Sequence, residues 1–203
     1  MKQKILFLAI LTCLTLAVNA QNAEQAKKIL DKTASILNRK GGASANFTFN
    51  NGTKESLSGT IAIKGKKFYA QTPQATTWFN GKTQWTYISK TGEVNVSNPN
   101  EAQQAQMNPY KFITLYKNGY TLGKTDVTNG YKIHLTAQNK QRAISELYIT
   151  INKKTNLPTQ VKMLQKGKWT TINISNFQAK NLSDSMFSFN SKDFPNAEVI
   201  DLR

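Results

Sequence analysis

The side chains that could do covalent or proton chemistry are few in this sequence of 203 residues. There is one histidine, His134, and one cysteine, Cys13. An imidazole can serve as a general base near neutral pH, and a thiolate can serve as a nucleophile or a metal ligand. Either role needs partners at fixed spacing, and none is present. Glu93, Asp126 and Glu146 are scattered among turn and strand positions, and no two carboxylates share a motif. No phosphate-cradling loop, glycine-rich dinucleotide turn or nucleophile elbow occurs. A lone cysteine excludes both an internal disulfide and a cysteine-based zinc site. His134 shares the polar side of its stretch with Lys132 and Thr136, alternating with Tyr131, Ile133 and Leu135, and reads as an exposed strand histidine. The sequence therefore supports no catalytic set, no cofactor and no metal. What it offers is apolar binding chemistry, carried by ten Phe, seven Tyr and three Trp.

The first twenty residues read as an export signal that is removed. Lys2 and Lys4 form a basic start, Ile5 to Val18 is an apolar stretch, and Val18-Asn19-Ala20 supplies small residues before Gln21. The stretch is short for a membrane span. Lipidation at Cys13 is the rival reading. It is opposed by Thr12 and by the apolar run that continues past the cysteine. Cleavage takes two lysines from 27 basic residues and nothing from 11 acidic ones, so the formal charge of +16 becomes +14. An exported chain is not expected to meet nucleic acid, despite that charge. The lysines suit a solvated surface, or attraction to an anionic membrane surface or to acidic proteins. The remaining residues, 21–203, read as one domain, long enough to bury a core.

The elements that would present the apolar residues are one helix followed by many strands. Asn22 is placed to cap a helix, with Gln25 in the capping-box position. Ala26, Ile29, Leu30, Thr33 and Leu37 share its apolar face, and Gly41-Gly42 ends it. The period then falls to two. Ala45, Phe47 and Phe49 alternate with polar residues, as do Leu57, Gly59, Ile61 and Ile63, with Phe68 and Ala70 in the same parity. Asn51-Gly52, Asn80-Gly81 and Asn129-Gly130 mark tight turns, with further turns at 153–156 and Gly167. Between positions 98 and 119 the alternation stops. Asn108-Pro109 opens a short helix carrying Phe112, Ile113, Leu115 and Tyr116, and Gly119 closes it. Strands resume with Tyr131, Ile133 and Leu135, then Leu147, Ile149 and Ile151, Val161 and Met163, and Ile172 and Ile174. Ser183-Asp184 starts a last helical turn before Phe187 and Phe189. Nine to eleven strands in one antiparallel sheet must curl or close. The expected fold is mainly β with α: a curved antiparallel sheet, an incomplete barrel, with the two helices covering its concave side.

Four segments, in order, resemble the family of periplasmic outer-membrane lipoprotein carriers, the LolA family. They are the Phe-alternating strand Ala45-Asn46-Phe47-Thr48-Phe49, the hairpin Asn80-Gly81-Lys82-Thr83-Gln84-Trp85-Thr86-Tyr87, the helix start Asn108-Pro109-Tyr110 with Phe112-Ile113, and the ending Phe187-Ser188-Phe189 with Val199-Ile200-Asp201. The resemblance implies a cavity for the acyl chains of a lipoprotein, loaded by an inner-membrane lipoprotein-releasing transporter and emptied to an outer-membrane acceptor, without covalent chemistry. It implies a periplasmic protein, and a monomer is expected. One departure stands out. The family's arginine that bonds to the lid falls at Gly65, and its tryptophan at Ala70. Lid closure is then expected to rest on apolar contact, with Lys64 or Lys66 as the polar substitutes.

The residues expected to line the cavity are Phe47, Phe49, Ile61, Ile63, Phe68, Trp85, Tyr87, Phe112, Ile113, Leu115, Tyr116, Leu147, Ile149 and Ile151. The alternative function is an exported β-rich module for another ligand, such as a fatty acid, a glycolipid or a sugar. An acceptor anchored to the membrane would share the fold and differ by a lipidated N-terminus.

Overall fold

The computed structural model describes residues 2–50, 52, 56–100 and 109–203. Asn51 of the first expected turn and Asn108 of the expected helix cap lie outside the described residues. Helix α1 spans Lys2–Leu37 without interruption. The sequence reading started this helix at Asn22, and that is corrected. No Gly or Pro occurs between positions 2 and 40 to break the hydrogen-bond ladder, and Ala17, Ala20, Ala23 and Ala26 favour it. The Asn22 amide is instead spent on a tertiary contact. Its nitrogen donates to the Lys124 carbonyl at 3.0 Å, and its oxygen accepts from the Lys124 backbone N–H. Pairs of opposite charge four residues apart, Glu24 with Lys28 and Asp31 with Lys27, support the exposed side.

After α1 the chain must squeeze between two strands, and this is what Gly41 and Gly42 permit. Gly42 has φ +86°, and a Cβ there would sit 2.6 Å from the Ile63 carbonyl oxygen. Twelve strands follow in sequence: β1 Ala43–Asn50, β2 Ser56–Lys64, β3 Lys67–Gln71, β4 Ala75–Phe79, β5 Gln84–Ile88, β6 Glu93–Ser97, β7 Tyr120–Val127, β8 Gly130–Ala137, β9 Ile144–Asn152, β10 Pro158–Gln165, β11 Lys168–Ala179 and β12 Glu198–Asp201. They form a single open, curved sheet in the order β12-β6-β5-β4-β3-β2-β1-β11-β10-β9-β8-β7. Helix α2, Pro109–Thr114, continues as a 3-10 turn over Leu115–Lys117. Ser183 caps a second 3-10 turn, Asp184–Phe187, as its sequence suggests.

Two expectations are revised. The described chain has twelve strands rather than nine to eleven. The polar edge strand β7 and the short β12 carry too little alternation to be read. The sheet is also not wholly antiparallel, because β12 runs parallel to β6. Within the described residues the hairpin turns fall where expected. Asn129 has φ +62° and Asn156 φ +56°, while Lys166 and Gly167 have φ +49° and +74°.

Helix α1 decides where the core sits. Its stripe of Ala26, Leu30, Ala34 and Leu37 packs on β7 and the neighbouring strands, against Ile133, Leu135, Leu147, Ile149 and Ile151. Those five strand residues have no exposed surface. Thr33, equally buried on the same stripe, satisfies its hydroxyl on the Asn156 carbonyl at 2.9 Å. Among the described residues no helix is long and apolar enough to cross a membrane.

Candidate functional site

Helix α1 covers only half of its side of the sheet. Over β2, β1, β11 and β10 the same face lies under the last turn of α1 and under α2, and there it leaves a cavity of about 380 Å³. The wall is built by strand parity. Phe47 pairs with Ile174 and Phe49 with Ile172 across β1–β11, and Val161 and Met163 extend the face onto β10. On the other side Ile61 and Ile63 project from β2 and Ala70 from β3. Leu37, Phe112 and Ile113 form the roof. Ala43 and Ala45 keep the floor low, and among the described residues the polar contributions are Ser44, Gln165 and Thr170.

Two local irregularities shape this wall. Gly59 lies opposite Phe47, and a Cβ there would meet the Phe47 ring at 2.8 Å. The glycine leaves room for that ring to lie across β2. In β11 an extra residue is accommodated at Asn176, with φ +50°, opposite the register shift between Ser44 and Asn46. This bulge turns Phe177 back into the cavity, three residues after Ile174 instead of two.

Six of the fourteen residues expected at the cavity line it: Phe47, Phe49, Ile61, Ile63, Phe112 and Ile113. The other eight lie elsewhere, for three reasons. Leu147, Ile149 and Ile151 share the face, but α1 packs directly on them and fills their half, and Leu115 and Tyr116 pack into that same core. Phe68, paired with Ile63, is on the correct face but is buried one strand further out, its ring 5.4 Å from Phe79. Trp85 and Tyr87 are on the opposite face. Ala70 pairs with Thr77 and Thr77 with Thr86, so next to Ala70 the cavity side of β4 and β5 carries threonine, with Phe79 and Gln84 beyond it in line with Phe68. The aromatic side, Trp78, Trp85 and Tyr87, faces away and is covered by the C-terminal segment. Phe194 stands 4.7 Å from the Tyr87 ring, and Phe189 and Phe194 each stand 5.5 Å from Trp78. Phe187, fully buried, belongs to the same segment.

Sequence reasoning missed Val161, Met163, Ile172, Ile174 and Phe177 as wall residues. The first four were visible as alternating positions. Their neighbourhood with Phe47 and Phe49 depends on β1 pairing with β11, more than a hundred residues away, and no local pattern reports that.

A family model described as outer membrane lipoprotein carrier protein LolA matches residues 16–168. The chain belongs to the LolA family. No curated protein sequence matches it significantly. Among solved structures, an uncharacterized conserved protein from Thermus thermophilus shares its fold at a TM-score of 0.60. The two are 16% identical, over 87% of this chain and 99% of that one. A LolA superfamily protein from Nitrosomonas europaea matches at 0.44, with 10% identity over 81% and 97%. The MucA/MucB complex of Pseudomonas aeruginosa matches at 0.47, with 12% identity over 81% and 61%.

In this LolA-family chain the polar contact across the lid is not at Gly65. Gly65 turns the β2–β3 hairpin with φ +59° and nothing near the position of a side chain. Lys64 does not reach the lid either. It donates to the Leu182 carbonyl at 2.8 Å and pairs with Asp184, which Lys67 also holds at 3.0 Å. These contacts pin the C-terminal segment to the outer face. The two lysines, Lys64 first, hold the Asp184 carboxyl below the ordinary carboxylate range. The expectation of a purely apolar lid is corrected by Asp31. The Tyr116 hydroxyl, just past α2, donates to the Asp31 carboxylate on α1. That bond first, and Lys27 second, lowers the Asp31 pKa. The roof is therefore two elements joined by a charge-assisted hydrogen bond.

His134 lies outside the cavity, on the opposite face. Its ring stacks on Tyr148 at 4.2 Å and its Nε2 is 3.1 Å from Glu146. Trp169 continues this outer ladder, with the Lys162 ammonium 4.7 Å from the indole.

Proposed function

We propose that this chain is a periplasmic carrier that shelters the acyl chains of lipoproteins and moves them from the inner to the outer membrane. In this reading residues 1–20 are the export signal and 21–203 the carrier domain. Cargo comes from a lipoprotein-releasing transporter and passes to an outer-membrane acceptor, with no bond made or broken. The single observation that supports it is the cavity of about 380 Å³ walled by Phe47, Phe49, Ile61, Ile63, Ile172 and Ile174, under a roof of Leu37, Phe112 and Ile113. A wall this apolar, with Ser44, Gln165 and Thr170 as its polar side chains among the described residues, suits an alkyl chain better than a sugar or a charged metabolite. Each methylene moved from water into it contributes about 0.8 kcal/mol, less the cost of ordering. The roof meets the wall through apolar contact, which an acyl chain replaces at little net change.

Native mass spectrometry of the protein isolated from periplasm tests the proposal. Acylated polypeptide should co-purify and should be lost on delipidation. Recovery of the protein with only free fatty acid or glycolipid, across repeated preparations, would replace the lipoprotein reading with the alternative of a lipid-binding module.

A further inference from the structure

An exposed indole on a fixed frame is apolar surface that folding has left uncovered. Among the described residues three large apolar side chains are exposed, Trp169, Val199 and Leu202. Val199 and Leu202 lie in and just after β12, at one edge of the sheet. Trp169 stands instead beside the β10–β11 turn, with 36% of its surface exposed. The turn itself is set by the left-handed backbone of Lys166 and Gly167. The indole is held there by its neighbours, with the Lys162 ammonium 4.7 Å and the Tyr148 ring 5.8 Å from its ring centre.

Strand register gathers positive charge around this ring. Thr136 pairs with Glu146, and Gln165 pairs with both Ile144 and Lys168, so the β8–β9 loop and the β10–β11 turn share one end of the sheet. Lys140, Arg142, Lys166 and Lys168 stand at that end, and none makes an ion pair among the described residues. Glu146, in the row of Trp169 across Leu164, is already engaged by His134 and the Tyr148 hydroxyl. The opposite end of these strands is also basic, at Lys153 and Lys154, but among the described residues no large apolar side chain is exposed beside them. An indole with lysines on both sides in sequence suits a bilayer surface, where the ring sits at head-group level and the ammonium groups meet lipid phosphates. We propose that the β10–β11 hairpin docks the protein on an anionic lipid bilayer, with Trp169 as the seated ring and Lys166 and Lys168 as its flanking charges. The same hairpin supplies Gln165 and Thr170 to the cavity wall, yet the docking surface stands whatever the cavity holds.

Vesicle co-sedimentation with the protein isolated from periplasm tests the docking. The vesicles are phosphatidylcholine alone, or phosphatidylcholine with about a third phosphatidylglycerol, which gives a negative surface potential. At about 50 mM salt the wild type should bind the anionic vesicles at least about tenfold more strongly than the neutral ones, and at about 500 mM that preference should largely vanish. Lys166→Gln/Lys168→Gln should weaken binding to anionic vesicles about thirtyfold. Lys153→Gln/Lys154→Gln removes the same charge from the opposite end and should weaken it less than about threefold. These four lysines are exposed, so both variants should melt within a few degrees of wild type. Tryptophan emission gives an independent reading. The difference between wild type and Trp169→Phe isolates this indole, and it should shift to the blue on anionic vesicles as the ring leaves water. Equal binding to neutral and anionic vesicles would overturn the proposal. Equal losses in the two lysine pairs, or an unshifted Trp169 emission, would overturn it as well. Retention on immobilised polyglutamate without vesicle binding would assign the surface to an acidic polypeptide and refute the bilayer as its partner.

Discussion

Ile172→Glu separates a cavity wall from an ordinary core. Ile172 sits mid-wall, paired with Phe49 on one side and Val161 on the other, and among the described residues no charged side chain lines the cavity. In the empty protein a carboxylate there can be hydrated, because the cavity is several water molecules wide. The fold should therefore survive, with a melting temperature within a few degrees of wild type. When an alkyl chain enters, that water must leave, and among the described lining residues only the neutral Ser44, Gln165 and Thr170 could donate in its place. Stripping even an uncharged polar group without a partner costs about 1–3 kcal/mol, and an ion costs more. Affinity for a fluorescent fatty-acyl probe should fall at least about a hundredfold, or some 3 kcal/mol. Lowering the pH should restore part of it, since the protonated acid is cheaper to bury. Ile172→Ala is the size control and should lose less than about tenfold. The contrasting site is Ile149, fully buried beneath α1. Ile149→Ala should cost about 2–5 kcal/mol of stability, read by chemical denaturation, while the folded fraction still binds probe. A folded Ile172→Glu protein that binds probe within about threefold of wild type would refute the cavity assignment.

Three further outcomes follow from the lid, the C-terminal segment and the entry to β1. Removing the Tyr116–Asp31 contact by Tyr116→Phe or Asp31→Asn should speed probe release about fivefold, about 1 kcal/mol for a half-exposed bond. Stopped-flow dilution should find the double variant no faster than either single one. Because the folded pKa of Asp31 is depressed, its contact is intact above the ordinary carboxylate value of 3.8 and is lost as pH falls through the lower folded value. Wild-type release should accelerate in that acid range, and release from Asp31→Asn should not. Asp184→Asn should loosen the segment after Leu182, and limited proteolysis should cut there sooner than in wild type; equal cutting would show that Phe187 and its aromatic neighbours hold the segment without the lysines. Gly42→Ala should destabilise by at least about 1 kcal/mol in thermal or urea unfolding, since φ is +86° and the added methyl would press on the Ile63 carbonyl.

The local pattern was enough to read most of the strands, the tight turns and the parity of each apolar face, because side chains alternate strictly along a strand and Asn-Gly turns announce themselves. It was enough to place Phe47, Phe49, Ile61 and Ile63 on one surface and His134 on the other. It was also enough to find two apolar helices that needed a surface to cover, and the segments that resemble the LolA family. What it could not decide is non-local. Parity says that Trp85 and Tyr87 share a face with each other, but the register across β3, β4 and β5 decides which side of the sheet that is. There the side with Trp78, Trp85 and Tyr87 turns outward, to be covered by the segment of Phe187, Phe189 and Phe194. Alternation makes Ile149 and Ile172 equivalent. Only the resting place of α1 makes one solid core and the other cavity wall. Asn22 carries the signature of a helix cap and instead holds the edge of β7, and the join between β1 and β11 closes a loop of over a hundred residues with no local trace. Periodicity is a property of one strand at a time, whereas a cavity is the space that several distant elements fail to fill.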